Sequence, residues 1–371
     1  MKITFYSNFL NHHQIPFSDE LYRELGLDYR FIAMRRVPNE RLKLGYQSPS
    51  VKDYPYLIDV GNNPDLYEEA VKLSLESDVC LFGSASLGML RIRMKSNKLS
   101  FRVSERKFKQ WWRIFDLRVI YECLRYKRKN LQLLSIGSMS AKDMLLIGAY
   151  KNKMYEWGYF PKIEEMIIET KENDIVSLLW VGRFLTWKRA DWIIRAVSKL
   201  KEKNIDFKLT LIGEGPEKNN CINLISQYNL EESVTILGAV PSYEVQKYMS
   251  ISDIYVFPSS RMEGWGAVVN EAMGNSCAVV GSSEAGAVNV LIKNKHNGLI
   301  FDGNDESDFY VKLEKCVLDY EMRKNISENA RNTICDYWNC KVASERFLSL
   351  SRALINNEKS DIYANGVCKK L

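Results

Sequence analysis

The sequence predicts an α/β protein built from two doubly wound, parallel-sheet domains, and three observations carry that expectation. A chain of 371 residues exceeds one ordinary core and suits two. Both halves alternate short β-branched runs with longer helical stretches, the rhythm that parallel sheets with crossover helices produce. The run DIYVFPSSRMEGWGAVVNEAMG, from Asp253 to Gly274, passes from a buried strand through a glycine-bearing loop into a helix. With 46% hydrophobic and 26% charged residues, the chain has the composition of a globular protein and not of a disordered one.

The first domain is expected over residues 1–165, with a helix at 340–358 packing back onto it. Its strands read as Lys2 to Tyr6, Tyr29 to Ala33, Tyr56 to Val60, Val79 to Gly83, Leu99 to Val103 and Leu131 to Ser135. MKITFYSNFL is too short and too polar for a signal peptide and reads as the first strand. The loop after it, SNFLNHHQIP, opens at the carboxyl edge of the sheet, where doubly wound folds bind ligands. His12 or His13 there either hydrogen-bonds an acceptor or a leaving phosphate, or caps and packs under the following helix.

The eight cysteines form no C-x-x-C pair, and several lie in apolar runs, as free core thiols do. That usage suits a reducing, cytosolic setting. The three histidines show no metal-ligand spacing with them, so no metal is expected. No segment approaches the roughly twenty apolar residues of a membrane span. Residues 91–129 nevertheless carry fourteen lysines and arginines against three acids, a net +11 in a chain whose total is +6. Phe101, Phe108, Trp111, Trp112 and Phe115 are interleaved with them. This is the composition of an amphipathic helix lying on an anionic membrane. RNA binding would use the same charges and rings, and a solvated helical face with inward tryptophans is the plain structural alternative.

The second domain is expected over 166–339, after the charged linker KIEEMIIETKEND. Its strands read as Ser177 to Val181, Lys208 to Ile212, Val234 to Leu237, Ile254 to Phe257 and Ala278 to Gly281, with helices from about Ser307 and a last helix from Cys340 to Leu354. The polar tail from Asn356 to Leu371 is expected to be loosely held. In the 253–274 run the helix is expected to start near Trp265. The loop ahead of it would present backbone N–H groups and a helix dipole to a phosphate. Glu263 stands before that helix and Glu271 more than one turn inside it. A ligand with a diphosphate at its centre and hydroxyl-rich sugars on both sides fits that layout. Arg183 and Lys188 lie at the start of another helix, where positive charge opposes the dipole and calls for an anion.

EGWGAVVNEAM resembles the donor-binding signature of the retaining glycosyltransferases of family 4, which have the GT-B fold. GRFLTWK, the GEGPE turn and HNGLIFD resemble further segments of that family in the same order. The likeness is specific over the second half and architectural over the first. It implies that Glu263 lies by the donor sugar and that Glu271 bonds the ribose. It also implies that Gly182, Arg183 and Lys188 hold the donor diphosphate, with Gly264, Trp265 and Gly266 supporting it through their backbone. Gly213, Glu214 and Gly215 would border the nucleotide, and Ala239 would meet the base. Glu263, Arg183, Lys188 and His13 form the implied catalytic set, with no cofactor, a nucleotide sugar as co-substrate (UDP by default) and no metal. Glu105 is the nearest counterpart of a family residue that contacts the donor sugar.

Two departures stand out. NHHQ replaces a glycine-rich turn, and AGAVN carries Ala285 and Asn289 where relatives have a glycine and an acid. The implied activity is transfer of a sugar to a hydroxyl of a glycan or of a polyprenol- or lipid-linked acceptor, in surface polysaccharide synthesis. The implied place is the inner face of the cell membrane, in the cytoplasm, with no nucleic-acid partner. A nucleotide-sugar epimerase or hydrolase, or a non-catalytic module binding a nucleotide sugar or glycan, is the alternative.

Overall fold

The structure is a computed structural model that describes residues 1–39, 49–163 and 175–371. The chain forms two compact units, Met1–Pro161 with Trp338–Leu371, and Lys162–Tyr337. Most of the linker stretch named above, from residue 164 to 174, lies outside the described residues.

In the first unit seven parallel strands stand in the order β3-β2-β1-β4-β5-β6-β7. They are β1 (Ile3–Ser7), β2 (Tyr29–Ala33), β3 (Leu57–Asp59), β4 (Val79–Phe82), β5 (Ser100–Ser104), β6 (Leu131–Ile136) and β7 (Met154–Trp157). The helices are α1 (Ile15–Leu25), α2 (Tyr67–Glu76), α3 (Leu87–Arg93), α4 (Leu117–Leu124) and α5 (Ser138–Leu146), joined by the returning α13 (Cys340–Ile355). All five residues of β1 are buried, as a central strand covered on both faces requires. Phe347 of α13 fills the gap between Phe17 of α1, Phe101 of β5 and Trp157 of β7, with ring centroids 5.1–6.0 Å apart. Edge-on packing of this kind adds to plain area burial.

β7 is an element missing from the strands expected above, since its four residues, MYEW, are few and include a glutamate. The tail beyond α13 also departs from expectation. Val367 and Cys368 are fully buried. Cys368 N–H donates to Glu156 O, Glu156 N–H to Lys369 O and Leu371 N–H to Met154 O, so the tail lies antiparallel along β7. Its polar composition hid a short backbone pairing that needs few apolar side chains.

The basic stretch is not one amphipathic helix. It runs through α3, β5, a 3-10 turn at Trp111–Phe115 and the eight-residue α4. Phe101 and Phe108 are buried. Trp112, Phe115, Leu117 and Tyr121 face outward, the middle two 72% and 78% exposed. Nor do all the cations face water. Arg106 pairs with Asp143 at 3.4 Å, and burial pushes the Lys107 ammonium down to about 8. Arg93 is wholly buried, with its guanidinium donating to the carbonyls of Ser74, Ser77, Asp78 and Leu99 at 2.7–2.9 Å and to Ser100 Oγ. One fork of five donors thereby ties α2, β4 and β5 together.

In the second unit six parallel strands stand in the order β10-β9-β8-β11-β12-β13. They are β8 (Val176–Val181), β9 (Phe207–Ile212), β10 (Val234–Gly238), β11 (Ile254–Phe257), β12 (Ala278–Ser282) and β13 (Leu299–Phe301). The helices are α6 (Ala190–Glu202), α7 (Lys218–Gln227), α8 (Ser242–Ile251), α9 (Val268–Gly274), α10 (Gly286–Leu291), α11 (Glu306–Leu318) and α12 (Tyr320–Asn332). Strand order reverses between β8 and β11, and both end at the same edge. The loops after these two strands therefore border the crevice in which such sheets bind ligands.

Replacing Arg93 by methionine is expected to strand four buried carbonyls and to lower unfolding free energy by about 3 kcal/mol or more. Urea denaturation of the two proteins measures it, and a loss under about 1 kcal/mol would contradict this account.

Candidate donor site

The loop after β8 is held from both sides. Gly182 N–H donates to Ile212 O, Phe184 N–H to Glu214 O, and Glu217 N–H back to Phe184 O. This lacing to the GEGPE turn needs close backbone approach. Gly213 has φ +143°, and a Cβ on it would stand 1.8 Å from Gly182 O. No side chain is compatible with that position. The chain then makes a 3-10 turn, Thr186–Lys188, and Arg189 takes a left-handed conformation to start α6.

That turn places Lys188 against the loop after β11. Its Nζ bonds the Glu263 carboxylate, and both side chains are largely covered, 15% and 16% exposed. The ring of Phe257, the last residue of β11, lies beneath the ammonium with its centroid 5.6 Å away. Ser260 N–H donates to Trp187 O at 2.8 Å, so the two loops are also joined through backbone. Residues 75 positions apart in sequence thus form one charged pair at the carboxyl edge.

Between Glu263 and α9 the chain turns sharply. Gly266 has φ +92°, and a Cβ there would meet the Phe257 ring at 2.5 Å. Trp265 is buried, with Nε1 donating to Asn270 Oδ1 at 2.8 Å. Its indole is therefore a strut, and only its backbone is available to a ligand. Among the described residues no backbone carbonyl takes the N–H of Gly264, Gly266 or Ala267. The helix begins at Val268, one turn later than the sequence suggested, which puts Glu271 in its first turn. Gly266 explains the delay, since its positive φ cannot be helical.

Glu271 keeps some solvent contact, yet burial pushes its carboxyl up to about 7. No side-chain hydrogen bond or ion pair reaches that carboxyl among the described residues. Arg183 stands exposed on the same laced loop. Glu214 pairs with Lys218 at 2.7 Å, and Ala239 is exposed just past β10. AGAVN is Ala285 and the first turn of α10, and its asparagine has a local explanation. Asn289 Nδ2 donates to the carbonyls of Ser283 and Ala285, so the amide holds the start of that helix. Glu284, in the loop just before α10, accepts from Arg261 N–H at 2.9 Å and so ties that loop to the β11 loop. Sequence inspection passed over Glu284 and Phe257, because neither a loop acid nor a strand phenylalanine signals its partner.

His13 belongs to the first unit. Its ring stacks on Tyr159 at 5.4 Å, and Tyr159 Oη donates to Glu105 Oε1 at 2.9 Å. Lys109 holds the other oxygen of Glu105 at 3.1 Å. The loops after β1 and β5 therefore meet through Tyr159, a residue that nothing in the sequence singled out.

The raised carboxyl of Glu271 gives a signed pH dependence. The folded state holds a proton that the unfolded chain releases near 4.3, so this stabilisation is full below that value and is lost as pH rises through about 7. Glu271→Gln should be more stable than the parent by about 2 kcal/mol at pH 8, a gap that narrows towards pH 5. Urea titrations at the two pH values test this, and a gap that does not change with pH would refute it.

Comparison with known proteins agrees with this architecture. Residues 162–333 match the family model described as glycosyl transferases group 1. A Campylobacter jejuni N-acetylgalactosamine-N,N'-diacetylbacillosaminyl-diphospho-undecaprenol 4-alpha-N-acetylgalactosaminyltransferase is 30% identical over 178 residues, 48% of this chain and 46% of that one. A putative colanic acid biosynthesis glycosyltransferase of Escherichia coli is 28% identical over 48% of this chain and 45% of its own length. The match thus spans just under half the length of these curated relatives. Among solved structures, Anabaena HepE in complex with UDP superposes with a TM-score of 0.72 at 13% identity, over 95% of this chain and 100% of that one. The lipopolysaccharide outer core galactosyltransferase WaaB superposes with a TM-score of 0.70 at 17% identity, over 94% and 99%. At such identities the likeness speaks for the fold, two Rossmann-like units of the GT-B class. Over residues 162–333 the chain is thus similar in sequence to the glycosyl transferases of group 1, and over nearly its whole length it shares the fold class of the solved neighbours.

Proposed function

We propose that this protein is a retaining glycosyltransferase. It would move a sugar from a nucleoside diphosphate sugar to a hydroxyl of a glycan or lipid-linked acceptor, in the synthesis of a surface polysaccharide. The observation that carries this is the meeting of Lys188 and Glu263 at the strand-order reversal of the second sheet, on loops fixed by backbone bonds. Breaking the bond from the sugar's anomeric carbon to the diphosphate leaves negative charge on the departing oxygen. A positioned ammonium stabilises that charge without reorganising. Lys188 supplies it, with Arg183 on the same loop as the second cation, so the reading requires no divalent ion. Glu263 orients the sugar and Glu271 the ribose. Incoming hydroxyl and leaving phosphate share one face of the sugar, and the phosphate accepts the hydroxyl proton. UDP is the preferred nucleotide, supported by the UDP bound to the structurally similar HepE.

The reading extends to the membrane. No helix among the described residues is long and apolar enough to cross one. Trp112, Phe115, Leu117 and Tyr121 project beside Arg118, Arg125, Lys127 and Arg128, which are all exposed. A surface combining apolar side chains with cations fits the interface of an anionic bilayer on the cytoplasmic side, where lipid-linked acceptors would be met. Each basic residue there adds on the order of 1 kcal/mol and each inserted ring or leucine about 1.5–3 kcal/mol.

Screening nucleotide sugars by thermal shift, then assaying transfer to polyprenol-linked acceptors, tests the activity. Donor consumption that is as fast without acceptor as with it would indicate a hydrolase or epimerase instead. Transfer should survive EDTA, and its abolition by the chelator with rescue by a divalent ion would overturn the metal-free account. Lys188→Ala should lower turnover about 10²–10³-fold and lower unfolding free energy by about 3 kcal/mol, the cost of leaving the shielded Glu263 carboxylate without its partner. Co-sedimentation should show the parent on phosphatidylglycerol vesicles and not on phosphatidylcholine ones. Phe115→Ser with Leu117→Ser should release it, and equal binding to both vesicle types would refute the membrane contact.

A further inference from the structure

Lys188 and Glu263 are each other's charge partner, although the proposed reading gives each a different part of the donor to hold. Both are largely shielded from water, so neither ion can lose its partner without a replacement. Resting on the donor-site reading above, we propose that this pair is a latch that discriminates the intact nucleotide sugar from the bare nucleoside diphosphate.

A diphosphate that draws Lys188 away leaves the Glu263 carboxylate half-shielded, unpartnered and beside fresh negative charge. Phe257 beneath the ammonium cannot compensate the acid, being apolar. A sugar attached to that diphosphate changes the balance, since its hydroxyls donate to the carboxylate while the phosphate receives the ammonium. Both halves of the pair are then satisfied at once. When the sugar has been transferred, the nucleoside diphosphate satisfies only Lys188, and re-forming the pair with Glu263 competes with it. The latch thus favours donor entry and product departure at the same two residues.

A double-mutant cycle read by calorimetry tests this, using UDP, inorganic pyrophosphate and UDP-glucose as the titrated probes and urea midpoints to confirm folding. Glu263→Gln, which keeps the size but weakens the hold on Lys188, should bind UDP and pyrophosphate about tenfold more tightly. Binding of UDP-glucose should stay level or weaken, so that the preference for the sugar-bearing ligand collapses. In a Lys188→Met background the same Glu263→Gln change should alter UDP binding less than twofold. The latch is overturned if Glu263→Gln leaves UDP affinity unchanged or lowers it. It is equally overturned if the tightening persists with Lys188→Met, because Glu263 would then act by repelling the ligand and not by holding the lysine. If neither UDP nor UDP-glucose binds the unmodified protein, the uridine-donor reading fails, and the latch as proposed fails with it.

Discussion

The three backbone hydrogen bonds that lace the loop after β8 to the end of β9 and the turn beyond it are the constraint on which the rest of the second unit's site depends. A lysine has four rotatable bonds and gains little from an ion pair if its own loop wanders. Here the loop cannot wander, since Gly182 and Phe184 are tied to Ile212 and Glu214, and the Ser260 bond to Trp187 O closes the far side. The ion pair then forms between groups already close together, so most of the ordering cost falls on the fold. Gly213 makes this possible by letting one backbone pass within contact distance of another.

The first unit uses charge differently. Its basic stretch contains cations with three distinct duties. Arg93 is an internal tie whose donors all go to backbone carbonyls and Ser100. Arg106, with the N–H groups of Lys107 and Phe108, surrounds Asp143 and fixes the segment after β5. A third group, Arg118, Arg125, Lys127 and Arg128, stands exposed and can act on something outside the protein. Net charge counted along a sequence therefore overstates the charge that a surface presents.

Much of this was legible beforehand, because strands buried on both faces are written as continuous apolar runs. Ile254–Phe257 and Val176–Val181 could hardly be read otherwise. Lys188 and Glu263 were each visible through their neighbours, as members of glycine-bearing segments that follow strands. Their bond to each other was not visible, since sequence separation says nothing about which loops adjoin. Glu271 was placed too deep in its helix because the φ of Gly266 cannot be read from its name. Tyr159 was missed for a different reason. Its role comes entirely from contacts with His13 and Glu105, made by loops distant in sequence.

The pairing of the tail with β7 has a meaning for solubility. Sheets with a bare outer strand offer a row of amides and carbonyls to any passing extended chain. In the first unit that rim is sealed by Cys368, Lys369 and Leu371, which take up the groups of Met154 and Glu156 facing away from β6. A protein cut back to the end of α13 would keep every helix and strand of its core. It would also expose a sticky border, and self-association would be the price of that trimming.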